Sequence, residues 1–279
     1  MKICLLTGCA NGIGRHMAGL LLQQGHTVVA TDVAISQLHT AATTDGWPTD
    51  RTLLLPLDVR SATDWQATMK KVLEQFGRLD VGMNIAGVIR PGYAAEIRPD
   101  DVDFMVDINL KGVMLGTRFM AEIMQEQRSG QIVNVASLAG VAPIQGLGIY
   151  SATKFGVRAF SIAASGELRD SGVSVSVVCP DLVNTDMLTA QLDHPEAALT
   201  FSGPRVLTVA DVGRAILLEA IDRRRVEVMI PPSRGLLAKL GNFFPEWGFA
   251  VTKGLRKKGL KKQKELGGKL FYSTTQETG

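Results

Sequence analysis

Cysteine is scarce in this chain. Cys4, Cys9 and Cys179 are the only three among 279 residues, too few and too scattered for a disulfide framework. The four histidines, His16, His26, His39 and His194, are dispersed. No Cys/His spacing suits a metal, and none is expected. Aromatic residues make up 6% and charged residues 20%. No apolar run reaches the roughly 18 residues of a membrane span. The run after Met1-Lys2 is shorter than the roughly 7–15 apolar residues of a secretion signal. A reducing cytoplasm fits these absences. What is abundant is hydrophobic residues, 46% of the chain, enough for one large core or two modest ones.

The first segment, Lys2–Thr7, is a short apolar strand that runs into Gly8-Cys9-Ala10-Asn11-Gly12-Ile13-Gly14. Met17, Leu20, Leu21 and Leu22 then carry a helical apolar stripe ending at Gly25. Glycines at a strand-to-helix turn let the backbone approach a pyrophosphate, whose charge meets free N–H groups at the helix start. A glycine triplet alone also describes many plain turns; the flanking strand and helix make Gly8, Asn11, Gly12, Ile13 and Gly14 a candidate dinucleotide cradle. A second strand, His26–Thr31, ends at Asp32. A carboxylate there would accept hydrogen bonds from ribose hydroxyls and repel a 2′-phosphate, which favours NAD over NADP. The other reading of Asp32 is a solvated acid capping the next helix, and Arg15 beside the turn is expected to point outward.

Strands and helices continue to alternate: Thr52–Leu57 as a third strand, a serine-capped helix from Ser61 to Phe76, and Leu79–Met83 as a fourth strand. A helical segment from Asp101 to Gln127 follows, then Gln131–Ala136, a helix to about Asp170, Val173–Cys179, Thr208–Ile221 and Val226–Ile230. This alternation implies an α/β fold, a doubly wound parallel sheet of about seven strands with helices on both faces, whose ligand loops lie at the carboxyl ends of the strands. From Asp181 to Val206 the pattern weakens around Pro195, Gly203 and Pro204, as expected of a mobile segment closing over a site.

Tyr150 and Lys154 stand four apart on one helix face. A cation beside a phenol favours phenolate, so Lys154 is expected to depress the Tyr150 pKa and make it a general acid/base. Ser137 ends the strand at the mouth of the sheet. In isolation, a tyrosine and lysine so spaced are an ordinary surface pair; the accompanying motifs weigh against that.

Together these residues resemble the short-chain dehydrogenase/reductase family over residues 1–232. Thr7-Gly8-x-x-x-Gly12-Ile13-Gly14 is similar to its cofactor turn, Asp58-Val59 to its adenine contact, Asn84-Ile85-Ala86-Gly87 to its Asn-Asn-Ala-Gly motif, and Tyr150-x-x-x-Lys154 to its catalytic pair. The resemblance implies a Rossmann-type domain, a catalytic tetrad of Asn109, Ser137, Tyr150 and Lys154, and hydride transfer between a nicotinamide and an alcohol or ketone. It also implies cofactor contacts from Asn84, Ala86, Gly87, Tyr150, Lys154, Pro180, Val183 and Thr185, and a homodimer or homotetramer. Two positions depart from the pattern: Ile85 replaces an asparagine, and Asp181 stands where a glycine is usual. An NADP-dependent 3-oxoacyl-type reductase is the rival reading, although Asn11 stands where it would carry a basic residue; a non-catalytic cofactor-sensing regulator on the same fold is a third.

The candidate pocket loops Val88–Tyr93, Leu138–Ile144 and Asp181–Met187 are largely apolar, which suggests a hydrophobic small molecule: a lipid, sterol-like or aryl secondary alcohol or its ketone. Beyond Pro232 the chain changes character, and residues 233–272 form a basic amphipathic extension. From Lys253 to Gly279 there are eight basic and two acidic residues, a net of +6, which leaves −3 for residues 1–252 of a chain whose total is +3. Leu236, Leu237, Leu240, Phe243 and Phe244 lie near these lysines. Peripheral contact with an anionic membrane through residues 236–264 is one reading; docking on the protein's own pocket or on a neighbouring subunit is the other. Nucleic-acid binding is not expected, because no stacking aromatics interleave with the lysines. Residues 273–279 are polar and read as disordered.

Overall fold

The computed structural model describes residues 1–276, except the side chains of Pro245, residues 247–249, Val251 and residues from 269 onward. Seven parallel strands form one sheet: β1 (Ile3–Thr7), β2 (Thr27–Asp32), β3 (Thr52–Pro56), β4 (Val81–Asn84), β5 (Gly130–Val135), β6 (Val173–Pro180) and β7 (Glu227–Ile230), in the order β3-β2-β1-β4-β5-β6-β7. Strand order reverses at β1, which pairs with β2 on one side and β4 on the other. At that switch point the carboxyl ends of the strands open a crevice.

All five residues of β1 are buried, because helices cover both faces of the sheet. Over one face, α1 (Gly12–Gln23), α2 (Ile35–Thr44) and α8 (Val209–Ala215) bury Met17, Leu21, Leu38 and Val212 in a cluster with Leu6, Ala30 and Met83. Over the other, α3 (Ala62–Phe76) and α5 (Gly112–Glu126) bring Trp65, Phe119 and Met120 onto Leu5, Val29 and Ile132. The serine cap at Ser61 is present: its hydroxyl oxygen accepts from the Asp64 backbone N–H at 3.1 Å. Thr208 likewise caps α8 in a reciprocal box with Asp211.

The segment expected as one helix from Asp101 to Gln127 is α4 (Pro99–Val106) and α5 joined by a π-helical turn, Asp107–Lys111. The wider turn carries the buried Asn109, and such turns recur at functional positions. The helix bearing Tyr150 is α6 (Gly148–Leu168). Between β6 and α8, where the sequence signal weakens, lie α7 (Asp186–Thr189) and a 3-10 segment, Pro195–Ser202.

Two helices complete the chain, α9 (Pro232–Phe243) and α10 (Pro245–Gln276). The inner face of α10 packs on the Pro195–Ser202 segment. The helix runs through Ser273–Gln276, part of the stretch expected to be disordered; residues 277–279 lie outside the described ones. Among the described residues, no helix is long and apolar enough to cross a membrane, and no cluster of His, Cys, Asp or Glu is arranged to hold a metal.

Candidate active site

A cleft of about 670 Å³ opens at the carboxyl ends of the strands, and it is lined from both sides of the switch point. On the β1 side the chain leaves Thr7 with Gly8 at φ +71° and Gly12 at φ +55°, conformations that side-chain-bearing residues adopt at a cost. A Cβ at Gly14 would lie 2.0 Å from the Gly8 carbonyl oxygen, so only glycine lets α1 start this close to the turn. The α1 N-cap, Asn11, makes no side-chain cap bond, and no acid stands in the first turn. The first N–H groups of α1 are therefore open to an anion, with no carboxylate of that turn competing. The Thr7 hydroxyl accepts from the Ile85 and Ala86 N–H groups at 3.0 and 3.1 Å, tying the turn to the loop after β4.

Gly8, Asn11, Gly12, Ile13, Gly14, Asp32, Asp58, Val59, Ala86, Gly87, Pro180, Val183 and Thr185 all line the cleft. Asp32 accepts from the Ala10 and Ala34 N–H groups at 3.0 and 2.9 Å. Asp58 is held by Arg60 in a paired guanidinium contact, 2.7 Å at the shortest, which keeps its carboxyl below the ordinary range. Arg15 points away and pairs with Asp45 at 2.5 Å.

The Asn84 side chain, expected at the cofactor, does not line the cleft. It turns into the interior and donates to Asn134 at 2.8 Å and Thr117 at 3.2 Å. Asn134 in turn donates to Ser161 at 2.9 Å. This buried chain of amides and hydroxyls ties β4, α5, β5 and α6 together behind the site. Asn109 braces the site in a similar way. Its Oδ1 accepts from the Val88 N–H at 2.7 Å, and its Nδ2 donates to the Val88 carbonyl at 2.8 Å. It fixes the loop after β4 from below and does not itself line the cleft.

Ser137, Tyr150 and Lys154 do line it, beside the glycine turn. The Ser137 oxygen accepts from the Ala139 N–H at 3.1 Å and its hydroxyl reaches the Pro180 carbonyl at 3.5 Å; Ser137 also lies near enough to the phenol to favour its ionised form. The Tyr150 hydroxyl also meets the Met187 sulfur at 4.0 Å. The Lys154 ammonium donates to the Val135 carbonyl at 3.0 Å and lies 5.7 Å from the centroid of the Tyr150 ring. A Cβ added at Gly87 would sit 3.3 Å from the Asn109 Oδ1 and 3.4 Å from that ammonium, so the loop passes close to both.

The expectation that Lys154 depresses the phenol pKa needs correcting for the free protein. Burial pushes Tyr150 up to about 12, with the neighbouring Ser137 opposing, and burial brings Lys154 down to about 8. Desolvation outweighs the neighbour because both groups are buried and the ammonium is turned toward Val135.

Asp181, the departure after β6, is paired. Its carboxylate meets Arg234 of α9 at 2.6 Å. Burial pushes its pKa up from the ordinary value, and Arg234 opposes. This pair is one of several links between the extension and the rim of the site. Gln263 of α10 is buried and donates to the Gln191 and His194 carbonyls at 2.6 and 2.8 Å. Lys262 donates to the Gly203 carbonyl at 2.9 Å. Leu266 packs on the cluster that holds Tyr150, Leu147, Leu188 and Phe201. At Gly259 a Cβ would fall 1.9 Å from the Ala198 carbonyl oxygen. The segment expected to be mobile is thus pinned by the extension, with Ala197, Ala198 and Phe201 fully buried. Gly259, Gln263 and Leu266 recur at i, i+4 and i+7, an inner stripe that the surrounding lysines obscure in the sequence.

Gln263→Ala strips the buried Gln191 carbonyl and the partly buried His194 carbonyl of their donor, at about 1–3 kcal/mol where they stay dry. It should raise KM for the organic substrate about tenfold with little change in kcat, and expose residues 186–203 to limited proteolysis. Unchanged KM and cleavage pattern would refute the pinning.

The fold and this cleft define a nucleotide-binding oxidoreductase. Residues 2–196 match the family model described as short chain dehydrogenase, and the chain belongs to the short-chain dehydrogenase/reductase family, whose members act on alcohols and ketones with NAD(P). It is 33% identical over 187 residues to a 3-oxoacyl-[acyl-carrier-protein] reductase of Thermotoga maritima, covering 67% of this chain and 76% of the relative. To a cyclopentanol dehydrogenase of Comamonas sp. it is 31% identical over 225 residues, covering 79% and 90%. Among solved structures, a short-chain dehydrogenase/reductase of Burkholderia phymatum in complex with NAD superposes with a TM-score of 0.79 at 28% identity, covering 88% of this chain and 95% of the other. Levodione reductase superposes at 0.76 and 26% identity, covering 84% and 98%.

Proposed function

We propose that this oxidoreductase uses NAD and interconverts a hydrophobic secondary alcohol and its ketone. The observation that carries the reading is the shared cleft, which the glycine cradle and Asp32 line together with Ser137, Tyr150 and Lys154. The glycine turn, the open start of α1 and the Asp32 carboxylate fit a dinucleotide lacking a 2′-phosphate. When bound, it supplies the two-electron partner that takes hydride from the substrate carbon or returns it.

The protein's own groups handle the oxygen and its proton. Ser137 holds the substrate oxygen by hydrogen bonding. Tyr150 takes the hydroxyl proton as the alcohol is oxidised, or gives it to the carbonyl oxygen in the reverse direction. Lys154 stabilises the phenolate when its ammonium turns from Val135 toward the hydroxyl. Much of the remaining wall, including Val88, Ile89, Phe104, Ile144, Leu147 and Met187, is apolar, with Arg90, Asp186 and Gln191 among the polar exceptions. The apolar side chains exclude water and favour a lipid-like, sterol-like or aryl substrate. An NADP-dependent 3-oxoacyl-type reductase is the competing reading, kept in view by the name of the Thermotoga relative.

Initial rates on a panel of secondary alcohols, with NAD and NADP in parallel, separate the two. We expect at least a tenfold preference for NAD in kcat/KM. Asp32→Ala should erase most of it by removing the charge that repels the phosphate, chiefly through the cofactor KM. A wild-type preference for NADP, or a preference untouched by Asp32→Ala, would overturn the NAD assignment.

A further inference from the structure

We infer that the C-terminal extension docks the protein on an anionic lipid bilayer. Two faces support this. On α9, Leu236, Leu237, Leu240 and Phe243 are 59%, 67%, 53% and 76% exposed. At 100° per residue they fall within about one third of the helix circumference. The opposite side of the same helix is committed to the protein: Gly235 is buried against Met229, and Ala238 packs on the cluster around Val177 and Cys179. The exposed arc is therefore the face that the fold leaves over.

On α10, Lys253, Lys257, Lys261 and Lys264 recur at i, i+4, i+8 and i+11, with Lys258 beside them, and all five are exposed. They lie on the side away from Gly259, Gln263 and Leu266, which face the body. The distribution of acids sharpens the contrast. Arg234 and Lys239, on the inner side of α9, are matched by Asp181 and Glu227. The five lysines enter no ion pair among the described residues, although residues 1–252 carry a net −3. An apolar arc followed by unneutralised lysines is complementary to acyl chains beneath anionic headgroups. A second copy is the poorer occupant: apposing two α9 faces would bring two strongly basic helices together, at a cost in charge repulsion.

The test is sedimentation of the full-length protein with phosphatidylcholine vesicles, with and without phosphatidylserine. Substitutions are preferred to truncation, because α10 also pins the substrate segment. The wild-type chain should pellet with the phosphatidylserine vesicles, release as salt is raised, and stay in solution with phosphatidylcholine alone. Each lysine near the surface contributes about fivefold, so Lys253→Glu/Lys257→Glu/Lys261→Glu should weaken binding at least a hundredfold. Leu237→Ser/Leu240→Ser/Phe243→Ser should weaken it at least tenfold, and both variants should keep wild-type turnover of a water-soluble alcohol. The inference is overturned if the wild-type chain ignores phosphatidylserine vesicles or if the charge-reversed variant binds equally well. It is also overturned if Leu237→Ser/Leu240→Ser/Phe243→Ser only dissociates an oligomer and leaves vesicle binding unchanged. Vesicle binding is read without catalysis, so it stands or falls separately from the proposed substrate.

Discussion

Tyr150→Phe is expected to fold, to bind dinucleotide as the wild-type chain does, and to lose about 10²–10⁴-fold in kcat/KM, the range for a positioned proton-transfer group. The substitution removes one oxygen from a side chain that is 7% exposed and packed among Leu147, Leu188 and Phe201. Phenylalanine keeps the ring and its packing. The lost contacts are the approach to Ser137 and the long contact with Met187, so stability should shift by no more than about 1 kcal/mol. Steady-state kinetics with the thermal midpoint and dinucleotide affinity measured in parallel checks all three. Activity within a few-fold of wild type would remove the proton-transfer role from Tyr150.

Lys154→Met should separate stability from activity. Lys154 is 3% exposed, and burial brings its pKa from the ordinary 10.5 down to about 8. Below pH 8 the folded protein carries a buried charge that the unfolded chain keeps in water, a cost on the order of 3 kcal/mol. Methionine has a similar length and no charge; it gives up the hydrogen bond to Val135, about 1 kcal/mol. At pH 7 the variant should therefore be more stable than wild type, by about 1–2 kcal/mol. Between about pH 8 and 10.5 the unfolded chain holds more protons at this lysine than the folded one does. The wild-type protein thus gains stability as pH rises through that window, and the advantage of the variant shrinks. Tyr150, pushed up to about 12, favours the folded state below pH 10 and loses that effect as pH climbs through 12; it is common to both proteins and cancels. Urea midpoints at pH 7 and pH 10, with turnover at each, test this. Turnover should fall at least a hundredfold, and a variant less stable than wild type at pH 7 would contradict the buried-charge account.

What could be read from the sequence was whatever is local. Glycines at a strand-to-helix turn, Asp32 at the end of the next strand, and a tyrosine and lysine one turn apart each follow from spacing within a short stretch of chain. The strand and helix alternation carried the fold class for the same reason. What escaped depends on distant parts of the chain. Asn84 turns from the cleft because Asn134 and Thr117, on other elements, offer it buried partners. The phenol pKa moves opposite to the expectation because burial is a property of the whole fold, whereas spacing encodes only the neighbour. Asp181 stands out in the sequence as a departure, but its partner is legible only once Arg234, 53 positions later, is placed beside it. The inner stripe of α10 is three residues long and interrupted by lysines, so its attachment to the substrate segment leaves a faint trace in the pattern.

We propose that Tyr150 is the proton-transfer group of this cleft and that a bound dinucleotide brings it into use. Ultraviolet difference titration of the wild-type chain against Tyr150→Phe, with and without saturating NAD, isolates this one phenol. Without NAD it should stay protonated to about pH 12; with NAD its ionisation should move down by about two pH units or more. A Tyr150 titration that NAD leaves unmoved would contradict the account.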